Sequence, residues 1–252
     1  MEPVLAALAA QQEELTDLLA GIDAALWARA SACEGWKVAD VVLHLAQTNE
    51  MATGSARGDF EGALASLTGG AAPIAGNVDE GAGLMVEHQR GAGADELLER
   101  WTRSCVDLRE ALRSRSPADR VTWVAGEMAA RTLASTRLAE TWIHTGDVAD
   151  GLGVALEPDD RLWHIARLAW RTIPYAFARA GRPPPGPVAF ELIAPSGAPW
   201  SFAEDGTPDT IVRGPAHDLC RLAGQRADAA HTSLVAEGPD AAAVLDLVRT
   251  YA

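Results

Sequence analysis

ETWIHTGDVADGLG, from Glu140 to Gly153, places carboxylates and an imidazole inside a chain otherwise rich in alanine, leucine and valine. At about 3.6 residues per turn, Glu140, His144 and Asp147 fall on one side of a helix, and Arg137 joins them. Leu138, Trp142 and Ile143 supply apolar packing on other sides. Two answers fit this stretch by itself. One is a solvated surface helix with an Arg137–Glu140 pair; the other is a helix that turns metal ligands inward. The second requires a further ligand from another helix, so fold and site have to be decided together.

WKVADVVLHLAQTNEM, from Trp36 to Met51, offers such a helix. His44 sits within its apolar run, and Asp40, Gln47 and Thr48 share its face. The helix opens at Gly35–Trp36 without a Ser or Thr cap, although Asp40 supplies a carboxylate near the positive end. Residues 4–28 carry Leu5, Leu8, Leu15, Leu18, Leu19, Ile22 and Leu26 at helical spacing. A third helix is predicted over 94–113, with Leu97, Trp101, Cys105, Leu108 and Leu112 on one side. The fourth runs from about Ala129 to Leu152, with Gly151 and Gly153 ending it. The stretch 52–80 is rich in Gly, Ala and Ser and holds Pro73, which reads as a loop with a short helix at 60–67. Four long helices with a long second connection predict an up-down bundle, and bundle cores are where facing helices assemble metal sites.

The pattern then changes. One more helix over 159–180 ends at AGRPPPGP (180–187), a stiff break. Residues 188–195, 199–205, 209–214 and 231–238 read as short strands. Helices follow Pro215, at a first helical position, and Asp240, as a cap. The predicted fold class is α+β: a helical bundle over 1–155, then a small α+β domain over 156–252 that closes over the ligand end of the bundle.

Composition narrows the function. A formal net charge of −14 opposes binding to nucleic acid or to an anionic membrane surface, yet permits a small anionic substrate in a local basic pocket. No apolar run reaches the roughly 18 residues needed to span a membrane. The first twenty residues read as an amphipathic helix rather than a signal peptide, which implies a cytoplasmic protein. Cys33, Cys105 and Cys220 lie far apart, as expected of reduced thiols. Cys33 is expected about three turns from His44 on a continuous helix, so no cysteine is expected at the site. Lys37 is the sole lysine among 21 basic residues, an arginine bias that fits a GC-rich, actinobacterial genome.

ACEGWKVADVVLHLA (32–46) resembles the first motif of the DinB-like metal-binding bundles, specifically the mycothiol-dependent maleylpyruvate isomerase family. RLAETWIHTGDVADGLG (137–153) resembles its second motif, E-x-x-x-H followed by Asp. IVRGPAHDLCRLAGQR (211–226) resembles the C-terminal, sterol-carrier-like domain of that group. Lys37 stands where a Thr or Ser commonly follows Gly-Trp. The resemblance implies His44, Glu140 and His144 as ligands to a divalent metal, with zinc the best match to two imidazoles and a carboxylate. It implies mycothiol as the thiol cofactor. Arg226 and Asp147 are the implied catalytic residues, and Arg213, with Arg226, is a candidate anion clamp on the cofactor side. The expected activity is isomerisation or sulfur transfer on a small electrophilic, carboxylated substrate, by a monomer or homodimer. Two rivals remain. A thiol-independent metal enzyme could use metal-activated water or Lewis acidity to tailor a secondary metabolite; a protein that only binds metal or a small molecule needs no reaction at all.

Overall fold

The computed structural model describes residues 1–70, 78–124 and 126–250. The chain divides into two compact units, Met1–Arg137 with His144–Leu156, and Leu138–Ile143 with Glu157–Ala252.

The first unit is helical. It contains α1 (Glu2–Ala20), α2 (Ala24–Trp27), α3 (Val38–Arg57), α4 (Phe60–Thr68), α5 (Val78–Gln89) and α6 (Ala94–Arg113). A short antiparallel pair follows, β1 (Arg120–Trp123) and β2 (Gly126–Ala129), with Trp123 opposite Gly126. Helix α7 (Ala130–Leu152) then begins, and its turn Leu138–Ile143 falls in the second unit. Leu15, Leu19, Val41, Val42, Leu45, Val86, Leu97, Trp101 and Val148 join α1, α3, α5, α6 and α7 in one buried core. Trp101 is fully buried, and its indole N–H donates to Thr16 Oγ1 at 3.0 Å. That bond satisfies the one polar atom the ring takes out of water.

Four long helices, α1, α3, α6 and α7, are those read from the sequence, and α6 has the predicted bounds. Three local differences have physical causes. The first helix stops at Ala20, and Asp23 starts α2 separately by accepting from the amides of Ala25 and Leu26. Helix α3 continues to Arg57 through small residues that look like a loop. Gly54 is what allows it: a Cβ there would stand 2.4 Å from the Cβ of Ala63 and 2.7 Å from the carbonyl oxygen of Asp59, so the missing side chain lets α3 approach α4. The predicted short helix at 60–67 is α4; α5 begins in the last residues of the predicted loop and continues through 81–89, where no element is predicted; residues 71–77 of that loop lie outside the described residues. Gly151 does not end α7. It lies inside the helix, with the carbonyl oxygen of Ala30 and the Cα of Ser31 at 2.6 and 2.8 Å from where its Cβ would be. Gly153, at φ 74°, is the left-handed cap.

The second unit holds α8 (Leu162–Arg179) and a four-stranded sheet of β3 (Val188–Ile193), β4 (Pro199–Phe202), β5 (Thr210–Pro215) and β6 (Val235–Glu237). The strand order is β4-β3-β5-β6; β3 and β5 are parallel and the outer pairs antiparallel. Helices α9 (Ala216–Ala223) and α10 (Ala241–Leu247) complete it. Pro215 closes β5 and stands just before α9 rather than within its first turn. Asp240 precedes α10, but its carboxylate accepts from the Gly186 amide at 3.0 Å instead of capping the helix. Gly224, just past α9, packs on the α7 turn: its Cβ would stand 2.9 Å from Ile143 Cγ1. Among the described residues, no helix is long and apolar enough to cross a membrane.

Two glycines of α7 should respond oppositely to alanine. At Gly146 a Cβ meets nothing within 4 Å, so Gly146→Ala is expected to gain up to about 1 kcal/mol from helix propensity. At Gly151 the new methyl meets backbone atoms that cannot swing aside, and Gly151→Ala is expected to cost about 1–3 kcal/mol through overpacking. Thermal unfolding of the two variants should therefore shift Tm in opposite directions.

Candidate metal centre

Helix α3 is buried on nearly every side, and so are the polar side chains it carries. Asp40, His44, Gln47, Thr48 and Asn49 are each at most 6% exposed. Each buried polar group must find a partner. Asp40 accepts from the Lys37 amide at 2.9 Å and from Arg90 Nε at 2.8 Å, which ties the first turn of α3 to the residue following α5. Gln47 donates to the carbonyl of Met85 at 2.8 Å. Thr48 Oγ1 lies 2.9 Å from the carbonyl oxygen of His44 and accepts from Arg137 Nη2 at 2.8 Å. Asn49 donates to Ser104 Oγ at 3.3 Å.

Helix α7 presents a second buried polar face. Arg137, Thr141 and Thr145 are fully buried, Asp147 is 2% exposed and His144 8%. A solvated face is thereby excluded, and Arg137 is an interior cation held in part by Thr48. Gln11 on α1 donates to Thr145 Oγ1 at 3.2 Å.

The two faces meet at the histidines. The rings of His44 and His144 stand edge to face, centroids 5.0 Å apart, and Trp36 covers His44 at 5.1 Å. His44, Glu140 and His144 each offer a ligand atom, and these three atoms lie within 4.8 Å of one another. His144 Nδ1 lies 2.9 Å from Asp147 Oδ2. A buried carboxylate there accepts a hydrogen bond from Nδ1–H, so the lone pair is left on Nε2. This is the arrangement that orients an imidazole for a metal and raises its basicity. Two imidazoles and one carboxylate fit a divalent cation, and three protein donors leave coordination positions for an exogenous group. Asp147 thus touches a ligand, and its effect on any reacting atom passes through His144.

Cys33 was not expected here, yet it is beside the site. Its sulfur, a ring nitrogen of His144 and a carboxylate oxygen of Asp147 also lie within 4.8 Å of one another. The expectation of a cysteine three turns away fails because residues 31–37 are not helix. The amide of Ala32 donates to the Asp147 carbonyl at 3.0 Å, and the amide of Trp36 to the Cys33 carbonyl at 3.0 Å. Gly35 takes φ 77°, which closes that turn. The available clue was Gly151, whose missing side chain admits Ala30 and Ser31 against α7.

The two arginines read from the sequence sit differently. Arg213 lies on β5, and its guanidinium donates to Glu191 on β3 at 2.7 Å and to Glu237 on β6 at 2.8 Å. The hydrogen bond to Glu191, then that to Glu237, raises its pKa. An incoming anion would have to displace two carboxylates. Arg226 follows α9, with Nη1 donating to the Gly224 carbonyl at 3.1 Å. Gly224 rests on Ile143, one turn along α7 from Glu140, and His217 stands edge-on to Trp142 at 6.1 Å. His217 is half-buried, and desolvation, aided by Arg221, lowers its pKa.

Residues 8–149 match the family model described as the mycothiol maleylpyruvate isomerase N-terminal domain. Two Mycobacterium tuberculosis proteins, both described as uncharacterized, from strains CDC 1551 / Oshkosh and H37Rv, are 34% identical to the chain over 251 residues. The match covers 99% of the chain and 95% of each relative. Crystal structures of the mycothiol-dependent maleylpyruvate isomerase, and of a histidine-to-alanine mutant of it, superpose with a TM-score of 0.62 at 19% identity. They cover 95% of this chain and of theirs, a likeness of fold.

Changing Asp147 to Asn keeps the shape but gives His144 Nδ1 an amide to face. Asp147→Asn is expected to weaken divalent-metal affinity about 10–100-fold, the usual effect of losing a partner behind a ligand. His144→Ala is expected to lose the ion altogether. A chelator-competition titration measures the first and elemental analysis of the purified protein the second.

Proposed function

The chain belongs to the family defined by the mycothiol maleylpyruvate isomerase N-terminal domain, and from that premise we infer that it is a metal-dependent enzyme that uses mycothiol on a small, electrophilic, carboxylated substrate. The observation that carries this reading is the convergence of His44, Glu140 and His144, with His144 held by Asp147. When bound there, a divalent cation, best matched by zinc, lowers the pKa of a thiol placed on it and so provides a nucleophilic sulfur at neutral pH. A thiol held there would supply reversible addition to an activated alkene, whose former double bond could rotate before elimination gave the isomer. Addition with loss of another group gives transfer, and isomerisation is the outcome we favour on family grounds.

The chain's own residues bind and orient. His44 and Glu140 fix two donor directions, and Asp147 keeps the His144 proton on Nδ1, away from the donor nitrogen. Trp36 screens the His44 ring from water on one side. Arg226 is assigned to the substrate carboxylate, or to the enolate that forms when sulfur adds beside a carbonyl. Its support is local: Gly224 seats the end of α9 on the same turn of α7 that carries Glu140. Arg213 has no part in this assignment, because Glu191 and Glu237 occupy its guanidinium. Cys33 is not assigned as the nucleophile, since its sulfur groups with Asp147 and not with His44 and Glu140.

Cobalt-substituted protein titrated with mycothiol is expected to develop a sulfur-to-metal charge-transfer band, in wild type and in Cys33→Ala alike. Turnover of an electron-poor, carboxylated alkene should require the thiol. Arg226→Gln should raise KM by about 10- to 100-fold, the worth of one charge-assisted hydrogen-bonded pair, with a smaller change in kcat. Full turnover without thiol, with no band at millimolar mycothiol, would transfer the reading to metal-activated water or Lewis acidity.

A further inference from the structure

The nitrogen of His144 that faces Asp147 is Nδ1, at 2.9 Å. Cys33 joins this pair, for its sulfur, a ring nitrogen of His144 and a carboxylate oxygen of Asp147 lie within 4.8 Å of one another. Only His144 is common to this cluster and to the His44–Glu140–His144 group. All three residues belong to the first unit. The chain brings them together by backbone bonds: the Ala32 amide is held on the Asp147 carbonyl, and the Cys33 amide donates to Ser31 Oγ at 3.1 Å.

We propose that Cys33, His144 and Asp147 form a second cation site, selective for a thiophilic divalent ion, that competes with the first for His144. The donor set is a sulfur, an imidazole and a carboxylate. A sulfur ligand shifts preference toward zinc and cadmium and away from magnesium or manganese. The geometry requires modest adjustment. Metal–ligand lengths of about 2.0–2.3 Å in a tetrahedral site separate neighbouring donors by roughly 3.3–3.7 Å. The Nδ1···Oδ2 pair must therefore open from 2.9 Å by a few tenths, and the sulfur must close. Cys33, half-buried on a non-helical segment, makes this adjustment by turning its side chain, while His144 and Asp147 stand one turn apart on α7.

Binding there releases one proton, that of the Cys33 thiol, and moves a second from His144 Nδ1 to Nε2, the nitrogen that the first site uses. The second of these is the proton that Asp147 uses to orient His144 in the first site. An ion in the second site therefore removes the support of the first, and a thiophilic ion should inhibit by displacement rather than by simple blockage. Recruitment of Cys33 asks nothing of mycothiol or of any substrate, so the site stands apart from the thiol chemistry.

Cadmium chloride alone, titrated into metal-free His44→Ala protein, tests the proposal because the first site is disabled there. The expected result is a sulfur-to-cadmium charge-transfer absorption that saturates at one equivalent and is lost in the Cys33→Ser/His44→Ala double variant. Cys105 and Cys220 should not contribute, because burial raises both thiols, Cys105 to about 12. No absorption in His44→Ala, or an undiminished one in the double variant, overturns the proposal. If His44→Ala does not fold, the wild-type chain is compared with Cys33→Ser, which should lose the cadmium absorption and keep its zinc. Equal cadmium absorption in those two proteins overturns the proposal as well. Failure of the first site would look different: wild-type zinc content would be unchanged by His44→Ala, whatever cadmium does.

Discussion

A helix buried on nearly every side must find an internal partner for each polar side chain it carries, and α3 carries seven that are buried. Water is unavailable to them, and an unmade hydrogen bond in the interior costs about 1–3 kcal/mol. Much of the bundle's arrangement follows from meeting that demand. Arg90 beside α5 is drawn to Asp40, the Met85 carbonyl to Gln47, Ser104 of α6 to Asn49, and Arg137 of α7 to Thr48. Two of these bonds tie α5 and the residue after it to α3, and the others tie α6 and α7. His44 takes its place among them with its ring against Trp36 and His144. The candidate metal centre is thus a position in a polar seam that runs along α3.

His144 shows how an acidic interior can select one protonation pattern. With Asp147 2.9 Å from Nδ1, the tautomer that exposes a bare Nε2 is the one that keeps its proton near a carboxylate. The spacing His144–Asp147 is three residues on α7, and Glu140–His144 is four, so one helix supplies two ligands and the group that orients one of them. Only one donor must then come from another element, which makes the site cheap to assemble: a single helix–helix register, α3 against α7, completes it.

That economy explains what was legible in the sequence. Ligands and orienting groups arranged on one helix leave a periodic trace, and His44 stood out as an imidazole within an apolar run. The four long helices were legible for the same reason, since each buries a periodic apolar stripe. Cys33 left no such trace. Its position comes from a non-helical segment pinned to α7 by the Ala32 amide and by the gap at Gly151, and neither has a period. The end of α3 was misread because Gly54 and the neighbouring small residues look like a loop, whereas they are there to let α4 come close. The hairpin β1–β2 was likewise invisible, being four residues a side with no sustained alternation. Arg213 was read as a clamp because its two carboxylate neighbours, Glu191 and Glu237, lie 22 and 24 residues away and become adjacent only in the sheet.

Net charge sets the last constraint on the chemistry. At −14 the chain attracts a divalent cation and repels an anionic substrate at a distance. Those long-range fields fade over about 8 Å at physiological ionic strength. What a carboxylated substrate meets at the end of its approach is therefore decided locally, by whichever positive groups are close and not already neutralised. Several arginines have a carboxylate at hand, as Arg90 has Asp40, Arg100 has Glu50 and Arg213 has two. A bound divalent ion adds more positive charge at one point than any of them, and it does so among ligands whose own single negative charge, on Glu140, leaves that charge partly uncompensated. In a chain this acidic, a cation bound at His44, Glu140 and His144, as proposed, would activate sulfur and also create the local field that lets an anionic electrophile come near. The proposed role of Arg226 would then be to orient a substrate that the field of the ion has already drawn in.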